Sequence, residues 1–289
     1  MQDSRPNLVT ASIVLYKSNP SFIESIVRDY FADDRPAFDR HLYLIDNSPT
    51  DKLVALLKSF PALAEKITYK HLSRNVGFGT AHNVAFRLAL DAGSRYHLLL
   101  NPDVRFSPSI LTDLYTYMEA NPDVGLSMPR VTYPDGSPQH VCKLLPRPID
   151  VLVRRFVPLP CLRELFDKRY ELRYVAECDR AVDVPSLSGC FMFIRCSLLN
   201  EVKGFDERFF MYVEDVDLCR RIGERARTVC LPYLAISHEF SRGSYHDSKL
   251  LKHHLLSMIR YFNKWGWLCD PKRKAVNARA LRSRPDTEQ

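Results

Sequence analysis

The first β-rich run of the chain is Leu8-Val9-Thr10-Ala11-Ser12-Ile13-Val14-Leu15-Tyr16, and it carries no charged residue. Strands that are covered on both faces have this uncharged, branched apolar composition. A helical pattern follows at 20–31, and a second apolar run at 41–48 ends in polar residues. A buried strand, a helix and a second strand in this order predict the start of a parallel α/β sheet.

The alternation of strands and helices continues to residue 103. Residues 51–63 have a helical pattern, residues 66–72 predict a third strand, and a helix follows the turn at 75–79. A fourth strand at 96–100 ends at Asn101-Pro102-Asp103. We therefore predict an α/β fold of three layers (α/β/α) with a mostly parallel central sheet.

Polar residues stand where these predicted strands end. In parallel α/β sheets, ligands bind at the carboxyl ends of the strands. The rule places four positions on one rim of the sheet: Tyr16, Asp46, Asn75 to Gly77, and Asn101 to Asp103. Each position also suits an ordinary turn, because Asn, Asp and Gly favour turns.

The densest group of carboxylates lies between Gly204 and Arg221. Its pair Glu214-Asp215 opens a helical pattern behind an aromatic cluster. A helix N-terminus tolerates negative charge, and a neighbouring carboxylate with an apolar wall raises proton affinity toward neutrality. The pair therefore suits a general base. An ordinary acidic helix start is the alternative interpretation.

Charge and composition limit the partners. The chain has 289 residues, of which 46% are hydrophobic and 26% charged, and a formal net charge of +7. Basic residues crowd the segments 147–173 and 249–284. This distribution fits a diphosphate substrate or an anionic membrane surface. We expect no nucleic-acid partner, because no nucleic-acid motif is present.

The cysteines and the apolar runs indicate the compartment. Eight cysteines occur without a Cys-x-x-Cys pair, so we predict free thiols in a reducing cytosol. The first residues lack an apolar signal core, and no apolar run approaches the ~20 residues that a membrane span needs. We predict a cytoplasmic protein, soluble or peripheral at the cytoplasmic face of the inner membrane.

Five motifs in order carry a family resemblance. They are 44–48 (Leu-Ile-Asp-Asn-Ser), 74–79, 100–103, 188–193 and 204–215. Together they resemble the family-two glycosyltransferases, and among these the rhamnosyltransferase-like branch of bacterial polysaccharide and O-antigen assembly. The resemblance runs from Val9 to His238, roughly four fifths of the chain.

The resemblance implies a GT-A fold, a nucleotide-sugar donor, a Mg²⁺ or Mn²⁺ ion and inversion at the anomeric carbon. It also implies a role for each matching residue. These are Asp215 with Glu214 for catalysis, Tyr16, Asp46, Asn75, Gly77 and Asn101 for the nucleotide sugar, Asp103 and His238 for the metal, and Ser188 and Gly189 on the acceptor side.

Two positions depart from the family pattern. Asn101-Pro102-Asp103 replaces the usual Asp-x-Asp and leaves one carboxylate, and Lys17 stands where relatives often carry Asn. His238 is either a metal ligand or a structural histidine. Arg242 either neutralises phosphate charge or is a surface arginine.

The resemblance further predicts the donor and the acceptor. We expect rhamnose from a deoxythymidine diphosphate donor, with a UDP-sugar as the alternative. The expected acceptor is a polysaccharide or a lipid-diphosphate-linked saccharide. An inactive, basic membrane-surface protein on the same fold is a further alternative. A dinucleotide site is disfavoured because His82 occupies the third small-residue position after Gly77 and Gly79. A nucleotidyltransferase needs a Gly-rich loop after the first strand, and residues 16–20 lack one.

We predict three segments along the chain. Residues 1–245 form the catalytic domain, with a nucleotide-binding half (1–103) and an acceptor half (104–245). The acceptor half contains an irregular, proline-rich insertion at about 134–183, either a lid or a surface excursion. Residues 246–270 form an amphipathic helix that binds an anionic membrane or packs on the domain. Residues 271–289 form a basic, disordered tail.

Overall fold

The structure, a computed structural model, describes residues 7–33, 37–156, 160–239 and 248–283. The strands in these ranges join one sheet. They are β1 (Leu8–Leu15), β2 (Asp39–Asp46), β3 (Ile67–His71), β4 (Tyr96–Leu100), β5 (Val104–Phe106), β6 (Val124–Thr132), β7 (Val182–Asp183), β8 (Phe191–Arg195) and β9 (Arg227–His238).

The α-helices alternate with the strands in the first half and cluster at the end of the chain. They are α1 (Pro20–Phe31), α2 (Phe78–Asp91), α3 (Ile110–Ala120), α4 (Pro148–Phe156), α5 (Pro160–Tyr170), α6 (Cys196–Val202), α7 (Glu214–Gly223), α8 (Ser248–Trp265) and α9 (Pro271–Arg282).

The sheet has the order β3-β2-β1-β4-β8-β6-β9-β5, and β7 pairs with β9. The predicted parallel arrangement is confirmed for β1 to β4, which pair in parallel. The remaining strands are mixed, because β8 lies antiparallel to β4 and β6, while β6 and β9 are parallel. The carboxyl ends of β1 to β4 therefore lie on one edge.

Helices cover both faces of the sheet. Leu42 and Leu44 of β2 join the cluster that contains Ile26 of α1. Tyr43 and Ile45 join a second cluster with the alanines of α2, which are Ala81, Ala85 and Ala89. Since alternate side chains of a strand point to opposite faces, α1 and α2 lie on opposite faces. The predicted α/β fold with helices on both faces is confirmed.

The segment 51–63 differs from its predicted helix. It forms two 3₁₀ helices, Lys52–Ser59 and Pro61–Lys66, and neither contains a buried residue. Pro61 cannot donate a backbone hydrogen bond, so it begins a new turn instead of continuing the first helix.

The predicted irregular insertion at about 134–183 contains regular structure. It includes α4, α5, a 3₁₀ helix at Arg173–Glu177 and β7. Its start is fixed to the domain, because Lys143 and Ser186 exchange backbone hydrogen bonds of 2.9 and 3.0 Å. The prolines alone indicate irregular chain, but α4 and α5 each begin at a proline, Pro148 and Pro160. Proline is favoured in the first helical turn.

The prediction of a disordered tail is wrong for Pro271–Arg282, which forms α9. Asp270 caps the helix by accepting a 2.9 Å hydrogen bond from the Arg273 backbone N–H. The buried residues Arg273, Asn277 and Ala280 recur at helical spacing, and the high charge of the segment concealed this stripe. Residues 284–289 lie outside the described ranges.

The apolar stripe of α8 packs on the catalytic domain. Met258, Tyr261 and Phe262 form a buried cluster with Phe209 and Val213. Packing on the domain therefore accounts for this face of the predicted amphipathic helix. Among the described residues, no helix is both long and apolar enough to cross a bilayer.

Free thiols are confirmed for the eight cysteines. Their burial varies, and most lie in or beside the core.

A network of fully buried polar side chains connects β1, β4 and α2. His97 shares hydrogen bonds with Thr10 (2.7 Å) and Ser12 (2.7 Å). Ser12 in turn contacts Nδ1 of His82 at 2.8 Å. Burial lowers the pKa of His97 to about 3 and lowers that of His82 well below its ordinary value. Both imidazoles are therefore neutral in the folded protein at neutral pH.

These histidines make stability fall in mild acid. Their folded pKa lies below the unfolded value near 6.5, so stability is lost as pH falls below about 6.5, where the unfolded chain takes up protons. We expect the free energy of unfolding of the wild type to decrease between pH 7 and pH 5. In His97→Gln this decrease should be smaller by about 2 kcal/mol. Urea unfolding at both pH values measures this difference. An unchanged loss in the variant would contradict the assignment.

Candidate active site

The carboxyl end of β2 is occupied by Asp46, which is fully buried. Its Oδ1 accepts a 2.7 Å hydrogen bond from the Ser48 backbone N–H, and its Oδ2 accepts a 2.5 Å hydrogen bond from the Tyr69 hydroxyl. Burial and the hydrogen bond to Asp46 raise the pKa of Tyr69. Asp46 thus holds Ser48 and Tyr69 in place at this edge of the sheet. Its contact with a nucleoside stays a prediction.

The loop before α2 is held in a tight turn. Asn75 Oδ1 accepts a 3.0 Å hydrogen bond from the Gly77 N–H, and Asn47 donates to the Gly77 carbonyl at 3.1 Å. Gly77 has φ of 92°, and a Cβ there would collide with the Phe210 carbonyl oxygen. Glycine is required for both reasons. The Phe78 N–H donates to the same Phe210 oxygen at 2.9 Å, so this loop is fixed to the segment that precedes α7.

Tyr16 and Lys17 stand at the end of β1. The Tyr16 side chain is 47% exposed, and the Lys17 ammonium lies 5.6 Å from its ring centroid. Lys17 has a left-handed φ of 51°, and its N–H donates to the Ser48 hydroxyl at 2.8 Å. Both side chains lie at the predicted ligand edge.

Two predicted metal ligands lie together. His238 is buried, and its Nε2 lies 3.4 Å from an Asp103 carboxylate oxygen. Asn101 Nδ2 lies 3.3 Å from the same nitrogen. The contact arises because Val104 of β5 pairs with His238 of β9. Arg242, the predicted phosphate contact, lies outside the described residues.

Gln139 sets the orientation of the His238 ring. The Gln139 amide nitrogen donates to the carbonyl oxygens of His238 (2.6 Å) and Thr132 (3.2 Å), so its oxygen must face the other way. That oxygen lies 3.1 Å from His238 Nδ1 and can only accept. Nδ1 therefore carries a proton, and in the neutral ring the lone pair is on Nε2, which lies 3.4 Å from Asp103. Metal-binding histidines are commonly held through their second nitrogen in this way.

A divalent cation fits this donor set. A carboxylate oxygen and an imidazole nitrogen lie on the same side, and the imidazole presents its lone pair. Across the part of the chain that the structure describes, no cluster of three or more His, Cys, Asp or Glu residues is arranged as a metal site. Asp103 and His238 would therefore hold the ion together with oxygens from a diphosphate, as is common for Mg²⁺.

The predicted base Asp215 lies in the first turn of α7. Its Oδ2 accepts a 3.0 Å hydrogen bond from the Gly189 N–H, and its Oδ1 accepts one of 2.8 Å from the Val216 N–H. Each oxygen keeps a further lone pair. A Cβ at Gly189 would stand 3.4 Å from the Asp215 Cβ and 3.3 Å from the Phe78 ring. Ser188 and Gly189 thus lie beside the predicted base, which is partly exposed.

Glu214 has a different environment from Asp215. It is buried, and its Oε2 has no hydrogen-bond partner among the described residues. Burial, with the nearby Asp215 charge, raises the pKa of Glu214 to about 8. Below that pH Glu214 is predominantly protonated. Asp215 therefore remains the predicted proton acceptor, and Glu214 is its buried neighbour.

One short segment connects the predicted base to Asn101, which lies beside the predicted metal ligands. The Gly189 N–H contacts Asp215, and the carbonyl of the next residue, Cys190, accepts a 2.9 Å hydrogen bond from the Asn101 N–H. The pKa of the Cys190 thiol is raised to about 12. Burial is the main cause, and the nearby charges of Asp103 and Asp215 contribute. Both carboxylates therefore lie in the electrostatic range of one thiol.

Residues that the sequence did not reveal hold the segment before α7. The Asn83 side chain pairs with the Phe205 backbone through two hydrogen bonds of 2.8 and 2.9 Å. Tyr212 and Val213 have left-handed φ values of 68° and 70°, which cost energy in non-glycine residues. Gln139 and Asn83 carry no sequence signal, because polar side chains in a turn and a helix are common.

The ordered motifs, the mixed sheet and the carboxylates around Cys190 define a sugar-transferring enzyme of the GT-A type. The family model for glycosyl transferase family 2 matches residues 13–202. The chain therefore belongs to glycosyltransferase family 2 and is a transferase enzyme.

Two relatives are rhamnosyltransferases. The chain is 28% identical over 288 residues to the N-acetylglucosaminyl-diphospho-decaprenol L-rhamnosyltransferase of Mycobacterium tuberculosis, with 93% of this chain and 90% of the relative covered. It is 28% identical over 263 residues to rhamnosyltransferase WbbL of Escherichia coli, with 86% and 90% covered. The predicted likeness to the rhamnosyltransferase branch is confirmed.

Solved structures share the fold. GalNAc-T7, solved with UDP, GalNAc and Mn²⁺, has a TM-score of 0.64 at 13% identity, with 92% of this chain and 49% of that chain covered. Mannosyltransferase PcManGT from Pyrobaculum calidifontis, solved with GDP-Man and Mn²⁺, has a TM-score of 0.58 at 17% identity, with 96% and 75% covered. The predicted GT-A fold is confirmed.

The role of Gln139 is testable by the proton position on His238. We expect Gln139→Leu to convert a pure Nδ1–H imidazole into a mixture of tautomers, because the acceptor that fixes the proton is lost. Long-range ¹⁵N NMR of histidine-labelled protein distinguishes the two forms. A pure Nδ1–H ring in Gln139→Leu would show that Gln139 does not set it.

Proposed function

We propose that this protein transfers L-rhamnose from dTDP-rhamnose, with inversion, to a lipid-diphosphate-linked saccharide. The observation that carries the proposal is the arrangement of Asp215 and the Asp103–His238 pair around Ser188 to Cys190. The printed names of the relatives support the choice of rhamnose and of a lipid-linked acceptor. A UDP-sugar donor is the second candidate, supported by the solved neighbour that was crystallised with UDP.

The reaction needs one group to accept a proton. An acceptor hydroxyl attacks the anomeric carbon, the bond from that carbon to the diphosphate breaks, and Asp215 takes the hydroxyl proton. Asp215 suits this step because its carboxylate is partly exposed, is oriented by the Gly189 N–H and lies beside a Glu214 that holds a proton. Ser188 and Gly189 lie beside it, on the proposed acceptor side.

The diphosphate is the leaving group. Bound Mg²⁺ or Mn²⁺ would neutralise the charge that develops on it. Asp103 and His238 would hold the ion, and Asn101 Nδ2 lies 3.3 Å from the same His238 Nε2. Tyr16, Asp46, Asn75 and Gly77 border the edge where the nucleotide is proposed to bind.

The proposed location is the cytoplasmic face of the inner membrane, in assembly of a surface polysaccharide such as O-antigen. A lipid-linked acceptor resides there, and contact with anionic lipid fits the basic residues of the chain's second half. Transfer assays with dTDP-rhamnose and UDP-sugars on a lipid-diphosphate acceptor test the donor and the acceptor together. Absence of transfer from every donor would favour the inactive alternative.

Removal of the proposed base tests the mechanism. We expect Asp215→Asn to lower the transfer rate by about 10²–10⁴-fold, because general-base catalysis is lost. The thermal shift caused by the donor is expected to persist. Glu214→Gln is the matched comparison and is expected to lose less activity, because Glu214 is already protonated below pH about 8. Near-normal turnover of Asp215→Asn would exclude it as the base.

Metal binding should depend on the nucleotide. Because the protein supplies two ligands, we expect Mn²⁺ alone to give a small thermal shift and Mn²⁺ with dTDP to give a larger one. Asp103→Asn should remove the additional shift, whereas Asp113→Asn, on the exposed face of α3, should keep it. Equal shifts with and without dTDP would contradict a shared site.

A further inference from the structure

The helical hairpin of α8 and α9 has an unusual charge. Residues 248–283 contain a single acidic residue, Asp270, and it is buried in a bidentate ion pair with Arg220 at 2.7 and 2.8 Å. The basic residues of the same segment are Lys249, Lys252, Arg260, Lys264, Lys272, Arg273, Lys274, Arg279 and Arg282. The hairpin therefore carries a large positive excess, and Lys252, Lys274, Arg279 and Arg282 are exposed.

Apolar side chains lie exposed among these charges. Leu256 (38%) and Ile259 (45%) are three residues apart on α8, and they continue into the connecting turn with Trp267 (44%) and Leu268 (87%). The turn is well defined, because the Trp267 indole N–H donates to Asn263 at 2.8 Å. We name Leu256, Ile259, Trp267 and Leu268 the hairpin patch.

The hairpin patch is not needed for packing. The opposite side of α8 already fills the cluster of Met258, Tyr261 and Phe262. A leucine that is 87% exposed at the tip of a turn contributes little to the fold. Exposed apolar residues that are bordered by Lys and Arg are typical of a helix surface that lies in a membrane interface.

We propose that the α8–α9 hairpin docks on an anionic bilayer, with the hairpin patch in the interface and its basic residues on the lipid headgroups. The positive charge of the hairpin is complementary to anionic lipid headgroups, which favours a bilayer as the partner. A second copy of the chain would bring two strongly positive surfaces together. A nucleic acid would also match the positive charge, but Trp267 is the one aromatic side chain among the four residues of the hairpin patch, whereas the other three are aliphatic.

The docking would set the distance between the active site and the membrane. The inner side of α8 contacts the segment before the catalytic pair, since Ser257 donates to the Met211 carbonyl at 2.9 Å and His253 stacks on Phe210 at 4.5 Å. One helix, about 10–12 Å in diameter, therefore separates this segment from the proposed bilayer plane. This part of the inference rests on the proposed lipid-linked acceptor.

Vesicle flotation of the full chain tests the docking without any substrate. We expect binding to vesicles of phosphatidylcholine with phosphatidylglycerol, weak binding to phosphatidylcholine alone, and loss of binding near 1 M salt, where the screening length is about 3 Å. Leu268→Ser should weaken binding about tenfold or more, whereas Val54→Ser, at a 43% exposed valine of the first 3₁₀ helix, should not. Equal effects of the two substitutions would overturn the proposal.

A charge-matched pair tests the basic residues. The double variant Lys252→Glu, Lys274→Glu should abolish vesicle binding. The control is the double variant Lys52→Glu, Lys58→Glu, which makes the same change in net charge on the first 3₁₀ helix and should retain most of the binding. Light scattering and RNA binding are measured on the same variants. The proposal is overturned if the hairpin variants lose self-association or RNA binding while vesicle binding is unchanged.

Activity separates this proposal from the proposed function. Leu268→Ser is expected to transfer normally to a soluble, short-chain acceptor and poorly to acceptor in vesicles. If the wild type binds vesicles as described but transfers no sugar, the docking stands and the proposed function fails. If transfer to both acceptors is equal in the variant, docking does not serve the reaction.

Discussion

The hydrogen bonds that fix Gly189 and Cys190 are the constraint on which the site depends. The Gly189 N–H orients the Asp215 carboxylate, and the Cys190 carbonyl accepts from the Asn101 N–H. These contacts join α7 to the carboxyl end of β4, at the boundary between the parallel and the mixed half of the sheet. Residue 189 has little space for a side chain, because a Cβ there would lie 3.4 Å from the Asp215 Cβ and 3.3 Å from the Phe78 ring.

The segment that leads into α7 is held from two sides. Asn83 of α2 pairs with the Phe205 backbone, and α8 covers Phe209 and Val213. Asp217 of α7 accepts from the Lys264 ammonium and the Trp265 indole. Such contacts offset the cost of the left-handed backbone at 212 and 213. The C-terminal helices therefore belong to the catalytic unit rather than to an appended tail.

The chemistry of the site comes from placing similar groups in different surroundings. Adjacent Glu214 and Asp215 differ because Glu214 is buried with an Oε2 that has no hydrogen-bond partner among the described residues, whereas Asp215 accepts two backbone hydrogen bonds. Gln139 lies between β6 and α4, in the segment predicted to be irregular. Its amide oxygen accepts from Nδ1 of His238, so in the neutral ring the lone pair is on Nε2. Burial and amide orientation therefore decide the proton positions.

The sequence by itself determined the positions of β1 to β4 along the chain, the helices α1 and α2, the polar positions at the strand ends and the identity of the family. Those features follow from local periodicity and from the spacing of polar residues at strand ends. Only the tertiary structure brought His238 to Asp103, Gln139 to His238 and Gly189 to Asp215, which are separated by many residues in the chain. The same holds for α9, whose Asn277 pairs with both backbone groups of Leu145. Long-range contacts leave no local pattern, because each partner is chosen by the packing of the whole sheet.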